Sequence, residues 1–331
     1  MKPNTGSVAR EGQIRDQNQS DSAIDRDQAL LELLRRLRLA DYSFVAPNRR
    51  THHEGRLRRM LRRPDSLRDI FGWNRAFRAR DIAPAMLEWM GWAGILQPLS
   101  FGRFRSRLRV SSLGRHLVLH SPLSAGRDAV FFGPDSYRFA RFLEDVAAML
   151  PARARVVDLG AGAGAGALAL ASARRDLRLV LIDINREAVR LARINLAAAG
   201  IEADVIEGDG LSAVQGGIDA VIANPPFLAG SISGRYRNGG TELGSAVTLD
   251  WMRQSASRLG SDGTILLYGA SAIVEGQDAL GETLGKELSR GGYAVRYREL
   301  DPDIFGGMLW RPSYRGVDRI AAVTMIATRL G

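Results

Sequence analysis

From Pro134 onward the chain alternates short apolar runs with amphipathic stretches of helical period, and this regularity leaves few folds open. Strands are expected at residues 155–159, 179–183, 203–207, 220–223 and 264–268. Helices are expected around 137–150, 164–174, 186–199, 247–259 and 277–290. Strands joined through helices run parallel, because each crossover returns the chain to the same end of the sheet. The end of the chain breaks this pattern. Residues 294–300 and 319–328 form two strand patterns with no helix between them, so the second must run antiparallel. The expected architecture is α/β, a seven-stranded doubly wound, Rossmann-like sheet closed by a terminal antiparallel hairpin. A dinucleotide-binding dehydrogenase would continue with another helical crossover instead.

The first part of the chain reads differently. Residues 1–25 carry almost no large apolar side chain and are expected to form a disordered tail. Leu30, Leu31, Leu33, Leu34 and Leu37 then fall at helical spacing, with Arg35, Arg36 and Arg38 opposite. A basic stretch from Arg49 to Arg68 follows, then a short helix at 83–90, a turn at 91–94 and strand-like pieces at 95–98 and 108–112. Helices followed by a small hairpin resemble a winged-helix module. The chain of 331 residues is therefore read as a smaller, mainly helical N-terminal domain over 26–129 and a second domain over 130–331.

Composition removes several kinds of chemistry. There is no cysteine, which excludes disulfides, thiolate nucleophiles and cysteine-held metal. His116 and His120 are four apart and could share a helical face, but they lack carboxylate partners, so no metal site is expected. No apolar run reaches the roughly 18 residues of a membrane span, and the N-terminus is polar, which points to a cytoplasmic protein with no membrane partner. The net charge of +10 is uneven: residues 1–150 hold 26 Lys and Arg against 16 Asp and Glu, and residues 151–331 hold 20 of each. An anion-attracting first part fits this asymmetry, and so does a GC-rich genome, since 44 of the 46 cations are Arg.

Four features carry the chemistry. The first strand ends in Asp158, and Gly160, Gly162 and Gly164 let the backbone turn tightly under a ligand before the next helix. This run also satisfies a relaxed dinucleotide fingerprint, yet a carboxylate just ahead of the first glycine would repel a pyrophosphate. It suits the ammonium of S-adenosylmethionine (SAM). Asp183, 23 residues after Gly160 and followed by Ile184, closes the second strand where a carboxylate accepts ribose hydroxyls. Asp209, followed by Gly210, is placed after the third strand to accept from an adenine amine or, as the alternative, to cap the next helix.

The fourth feature is Asn224-Pro225-Pro226-Phe227, directly after the fourth apolar strand. A planar amine or amide nitrogen is a poor nucleophile because its lone pair is delocalised. If the Asn224 side-chain oxygen and the Pro225 carbonyl each accept from the NH2 group, the lone pair is aimed at a methyl donor. The prolines fix the turn and Phe227 offers a flat face to the acceptor. Such alignment is worth roughly 7–11 kcal/mol of barrier.

On these residues, the segment from about 130 to 331 resembles the HemK/PrmC-like, small-domain N-methyltransferases with an NPPF motif. That group includes release-factor glutamine methyltransferases and rRNA and tRNA base methyltransferases. The resemblance implies a class I SAM-dependent methyltransferase (EC 2.1.1.-), with SAM as cofactor and S-adenosylhomocysteine as product. Catalytic roles fall on Asn224, Pro225 and Phe227, and donor contacts on Asp158, Gly160, Gly162, Asp183, Ile184, Asp209, Gly210 and Asn224. Asp135 and Tyr137 join them, because the segment before the first catalytic helix lines the donor pocket in that group. Phe227, where the glutamine methyltransferases usually have Tyr, is more usual among enzymes acting on guanine.

The acceptor is read as an RNA base or a protein side-chain amide, with a small heteroaromatic metabolite as the alternative. Two loops are expected over the pocket: 228–245, with Arg235, Tyr236 and Arg237, and 301–316, with Phe305, Trp310, Arg311, Tyr314 and Arg315. Stacking or loop packing explains these side chains equally well.

Overall fold

The computed structural model describes residues 26–123, 125–126, 128–227 and 242–331. The expected tail over 1–25 and most of the loop over 228–245 lie outside them. The chain divides into two compact units, Met1–Val45 with Arg50–Ser111, and Ala46–Arg49 with Ser112–Gly331. The division falls at 111/112, ahead of the 129/130 boundary read from the sequence.

In the first unit, residues 26–39 form helix α1, whose leucines 30, 33, 34 and 37 are buried as their spacing predicts. Arg35 and Arg36 both reach Glu32, at 2.7 Å each. Helices α2 (Arg49–Arg58) and α3 (Pro84–Trp92) precede an antiparallel hairpin of β1 (Leu96–Leu99) and β2 (Arg103–Ser106). Strand β2 lies between the strand-like pieces expected at 95–98 and 108–112, where no strand is expected from the sequence. In the fold Phe104 packs on Phe77 at 6.2 Å between ring centroids, and the arginines take the alternate positions. A fully buried Arg109 donates to the Gly72 carbonyl at 2.9 Å, and the backbone passes so near Phe44 that only glycine fits at 72.

Strands β3 (Arg109–Leu113) and β4 (His116–His120) make a second small sheet. His116 and His120 thus lie on a strand, which corrects the shared helical face. The intervening Leu117, Val118 and Leu119 are buried as well, so every side chain of the run faces packing and no helical period exists. His116 Nε2 lies 2.9 Å from Ser172 Oγ.

The second unit is built on seven strands: β5 (Arg155–Leu159), β6 (Arg178–Asp183), β7 (Asp204–Glu207), β8 (Ala220–Ala223), β9 (Thr264–Ile273), β10 (Tyr293–Asp301) and β11 (Arg319–Arg329). Their order is β10-β11-β9-β8-β5-β6-β7. Strands β5 to β9 pair in parallel, and β11 runs antiparallel to both β9 and β10. This is the seven-stranded class I methyltransferase arrangement with a terminal antiparallel hairpin. Strand β9 continues to Ile273, past the expected end at 268, because β11 pairs with it as far as Arg319 opposite Ile273.

Helices α4 (Pro134–Val146), α5 (Ala165–Ala173), α6 (Arg186–Ala199), α7 (Ala246–Arg258) and α8 (Ala279–Arg290) alternate with the strands. The core joins Val157, Leu159, Val180, Ile182, Val221, Ile265 and Leu267 from the parallel strands to Met252, Leu280 and Leu284 from the helices. At roughly 25 cal/mol per Å2 of apolar surface, this burial is the main force holding the site-bearing strands in register.

Candidate functional site

The parallel strands deliver their C-terminal ends to one edge, and the glycine turn after β5 lies there. The N–H groups of Gly160 and Ala161 both donate to the Ile182 carbonyl, at 2.9 and 3.0 Å, which folds the turn back onto β6. Gly160 has φ +73°, and a Cβ on it would sit 2.3 Å from the Trp251 ring, so both backbone and space demand glycine. Gly164, at φ +83°, caps α5. The buried Asn195 of α6 secures the turn from below: its Nδ2 donates to the carbonyls of Ala163 and Leu119, each at 3.0 Å, and its Oδ1 accepts from Leu119 N at 2.8 Å.

Four acids surround this turn, each in a different state. Asp158 is buried and its Oδ2 has no hydrogen-bond partner among the described residues. Burial pushes its carboxyl up to about 7, the Ala167 N–H works against that shift, and nearby Asp183 adds to it. Asp183 closes β6 and accepts from Gly162 N and Asn185 N, at 2.8 Å each. Burial raises its pKa and these two bonds oppose the rise. Each oxygen keeps a further lone pair for a ligand hydroxyl. Asp135 accepts from the Tyr268 hydroxyl at 2.9 Å and lies 3.5 Å from Arg138, which also reaches Asp301 at 3.0 Å. Burial raises its pKa too, against the Tyr268 bond. Asp209 is exposed and makes no side-chain cap to the turn that follows, so the capping alternative does not describe it.

The Asn-Pro-Pro-Phe corner leaves β8 at Ala223. The Asn224 Oδ1 is buried and has no hydrogen-bond partner among the described residues. A buried amide oxygen left this way costs about 1–3 kcal/mol, so it is a mark of a ligand donor. Phe227 packs against Phe305 with ring centroids 5.7 Å apart, in a cluster around Tyr314, Val317 and Ile320.

A cavity of about 380 Å3 joins these parts, within the usual size range of small-molecule sites. Asp135, Asp158, Gly160, Gly162, Asp183, Ile184, Asp209, Gly210, Asn224, Pro225 and Phe227 all line it. Tyr137 does not. Two residues after Asp135 on α4, it is turned about 200° around the helix axis. Its hydroxyl accepts from Ala46 N at 2.9 Å and its ring meets Phe132 edge-on. The resemblance-based assignment of Tyr137 as a donor contact is corrected accordingly.

Phe131 and Ser136, from the expected pocket segment over 131–137, also line it, and the structure adds Arg49, Phe139 and Trp251, none of them anticipated as contacts. Trp251 carried only the signal of an apolar position on α7. From the terminal loop Phe305, Met308 and Arg311 line the cavity, whereas Trp310 is 92% exposed outside it and Tyr314 is buried in the core. Arg235, Tyr236 and Arg237 lie outside the described residues. The residues present fit an adenosyl sulfonium ligand: a buried acceptor for an ammonium at Asp158, a ribose acceptor at Asp183, and an exposed carboxylate at Asp209 for an amine. Among the described residues no group of three or more His, Asp or Glu could hold a metal, and no helix is long and apolar enough to cross a membrane.

Residues 140–288 match the model of the family described as Methyltransferase small domain. Ribosomal RNA small subunit methyltransferase C of Shewanella loihica is 40% identical over 78 residues, which cover 24% of this chain and 23% of that protein. The Escherichia coli protein of the same name is 36% identical over 133 residues, covering 40% of this chain and 36% of its own length. The chain therefore spans well under half the length of these relatives. Among solved structures, a 16S rRNA N2 methyltransferase of T. thermophilus in complex with AdoMet and guanosine superposes with a TM-score of 0.44 at 16% identity, over 77% of this chain and 63% of that one. The matched segment is thus similar to the Methyltransferase small domain family, and its sheet order is that of the class I methyltransferase fold.

Proposed function

We propose that this chain transfers the methyl group of SAM to the exocyclic amine of an RNA base, ribosomal RNA being the favoured substrate. The observation that carries the reading is the Asn224 Oδ1, buried at the wall of the cavity and without a hydrogen-bond partner among the described residues. It is an acceptor waiting for an N–H. Similarity to two rRNA small subunit methyltransferases supports the choice of RNA, as does the Phe in the last position of the Asn-Pro-Pro-Phe corner.

SAM, when bound, supplies an electrophilic methyl on a sulfonium. Asp183 holds the ribose hydroxyls, Asp209 takes the adenine amine and Asp158 faces the ammonium. Asn224 Oδ1 and the Pro225 carbonyl accept the two N–H bonds of the acceptor amine, which turns its lone pair toward the methyl. Phe227 packs beside the plane of the base. With the lone pair so held, a bound sulfonium would supply the methyl carbon and leave as the neutral thioether. The methylated nitrogen is then far more acidic than the neutral amine and gives its proton to water, so the corner needs no general base.

The test is incubation of the full chain with radiolabelled SAM and, separately, small ribosomal subunits, naked rRNA, tRNA and release factor. Label in rRNA, mapped by digestion to an exocyclic nitrogen, is the expected result. Label confined to protein would establish the amide alternative, and label only in small molecules the tailoring one.

A further inference from the structure

The N-terminal unit carries a charge that its own acids do not neutralise. Residues 26–111 hold 19 Arg and 8 Asp or Glu, a net of +11 against +10 for the whole chain. Part of the excess is concentrated on one hairpin. On β2 the alternation puts Phe104 and Ser106 inward, Ser106 being buried, and leaves Arg103 and Arg105 on the other face, with the exposed Arg107 just beyond. The charge of Arg105 acts on the half-buried Arg56 of α2, and the Arg105 Nε is buried with no hydrogen-bond partner among the described residues. Burial lowers the Arg56 pKa, and Arg105 and Arg75 lower it further.

Among the described residues neither Arg56, Arg105 nor Arg107 has a carboxylate partner. The buried acid of this unit, Asp69, is already held by Arg75 at 3.0 Å and faces Arg59 at 3.9 Å. Two guanidiniums brought together with no counter-ion are costly unless an anion joins them.

The tip of the same hairpin is equally unfavourable as pure scaffold. Phe101 is 83% exposed and has φ +60°, a left-handed conformation that a bulky side chain rarely adopts. Gly102 beside it has φ +64° and open space around it, so the turn has no steric need for an aromatic at its neighbour. Strain of this kind persists where function holds it.

From this geometry we infer that the β1–β2 hairpin and α2 form a docking surface for single-stranded RNA, in which Arg56 and Arg105 share a backbone phosphate and Phe101 stacks on an unpaired base. Charge complementarity selects the polyanion, and the exposed Phe101 ring selects unpaired bases over duplex. The inference deepens the RNA reading of the acceptor, but its readout is binding and does not depend on methyl transfer.

The test uses the full chain and a fluorescein-labelled single-stranded oligoribonucleotide, followed by anisotropy across a salt series. R56Q/R105Q is expected to lose ten-fold or more in affinity and to flatten the log–log salt slope by about 0.7, the share of the one phosphate the two guanidiniums hold. R56K/R105K keeps most of that slope. F101G relieves the left-handed strain, so it folds at least as well by thermal melting, yet binds RNA about five-fold or more weakly. Donor affinity by calorimetry stays unchanged in all three. Unaltered RNA affinity in both R56Q/R105Q and F101G overturns the proposal, as does equal binding of an acidic peptide or of duplex RNA. Salt-dependent RNA binding without methylation of any RNA would leave this surface standing and remove the proposed activity.

Discussion

The carboxylate that ends β6 holds the turn that follows β5: Asp183 Oδ2 accepts the Gly162 N–H at 2.8 Å. Its other oxygen takes Asn185 N at the same distance. The proposed ribose acceptor and the glycine turn are therefore one hydrogen-bonded unit, and a change at Asp183 alters the shape of the cavity as well as its charge.

Asp183→Ala is expected to weaken SAM binding about ten-fold or more, the scale of hydrogen bonds to a charged group, and to lower the melting temperature. Asp183→Asn keeps only one acceptor oxygen for two backbone donors and falls between. Titration calorimetry and thermal melting read both effects. Wild-type SAM affinity in Asp183→Ala would remove the ribose assignment.

Asn224→Ala should separate chemistry from donor binding. Turnover is expected to fall on the order of 100-fold, with SAM affinity held within a few-fold, because the side chain aligns the acceptor. The melting temperature should not drop, since the Oδ1 has no hydrogen bond to lose among the described residues. A matching loss of SAM binding would show that the side chain serves the donor instead.

Asp158 makes a pH prediction with a definite sign. Burial holds its carboxyl at about 7 against 3.8 for an ordinary aspartate. Between those values the folded protein keeps a proton that the unfolded chain has lost, so ligand-free stability falls as pH rises through that window. Asp158→Asn should remove that part of the slope in denaturant titrations from about pH 4 to about pH 7. The ammonium of SAM favours the ionised form, so donor binding should tighten from about pH 6 to about pH 7.5 and release protons. Calorimetry in buffers of different ionisation enthalpy measures that release, and Asp158→Asn should lack it.

Gly160→Ala carries two separable penalties. The added methyl meets the Trp251 ring, and φ +73° disfavours any L side chain. A loss of about 1–3 kcal/mol in stability is expected from overpacking alone. Adding Trp251→Leu should restore only part of it, because the backbone strain remains. Full recovery in the double variant, measured by denaturant unfolding, would mean that the turn tolerates alanine.

The parallel sheet was legible because its strands are nearly pure apolar runs: all four residues of β8 are buried, and its ends are marked by Asp219 and Asn224. The glycine turn, its acids and the Asn-Pro-Pro-Phe corner were legible because each follows a strand at a fixed position. What stayed hidden depends on packing between distant parts. β2 alternates Arg with Phe, and its pairing with β1 and the Phe77–Phe104 bridge, not its own pattern, make it a strand. β4 is flanked by two histidines whose spacing mimics a helix, although all five of its residues are buried. Trp251 closes on Gly160 from 91 positions away, a contact no local pattern encodes. The resemblance groups Tyr137 with Asp135 as part of a segment ahead of the helix, whereas α4 already begins at Pro134 and turns the two side chains apart.

Asn195 sets a practical lower limit on how far the protein can be trimmed. Its carboxamide is shared between the donor turn at Ala163 and both backbone groups of Leu119, which lies upstream of the family match at 140–288. An expression fragment cut to that match would strand a buried amide and discard the last two strands. A minimal catalytic piece must therefore start before His116 and run through Arg329.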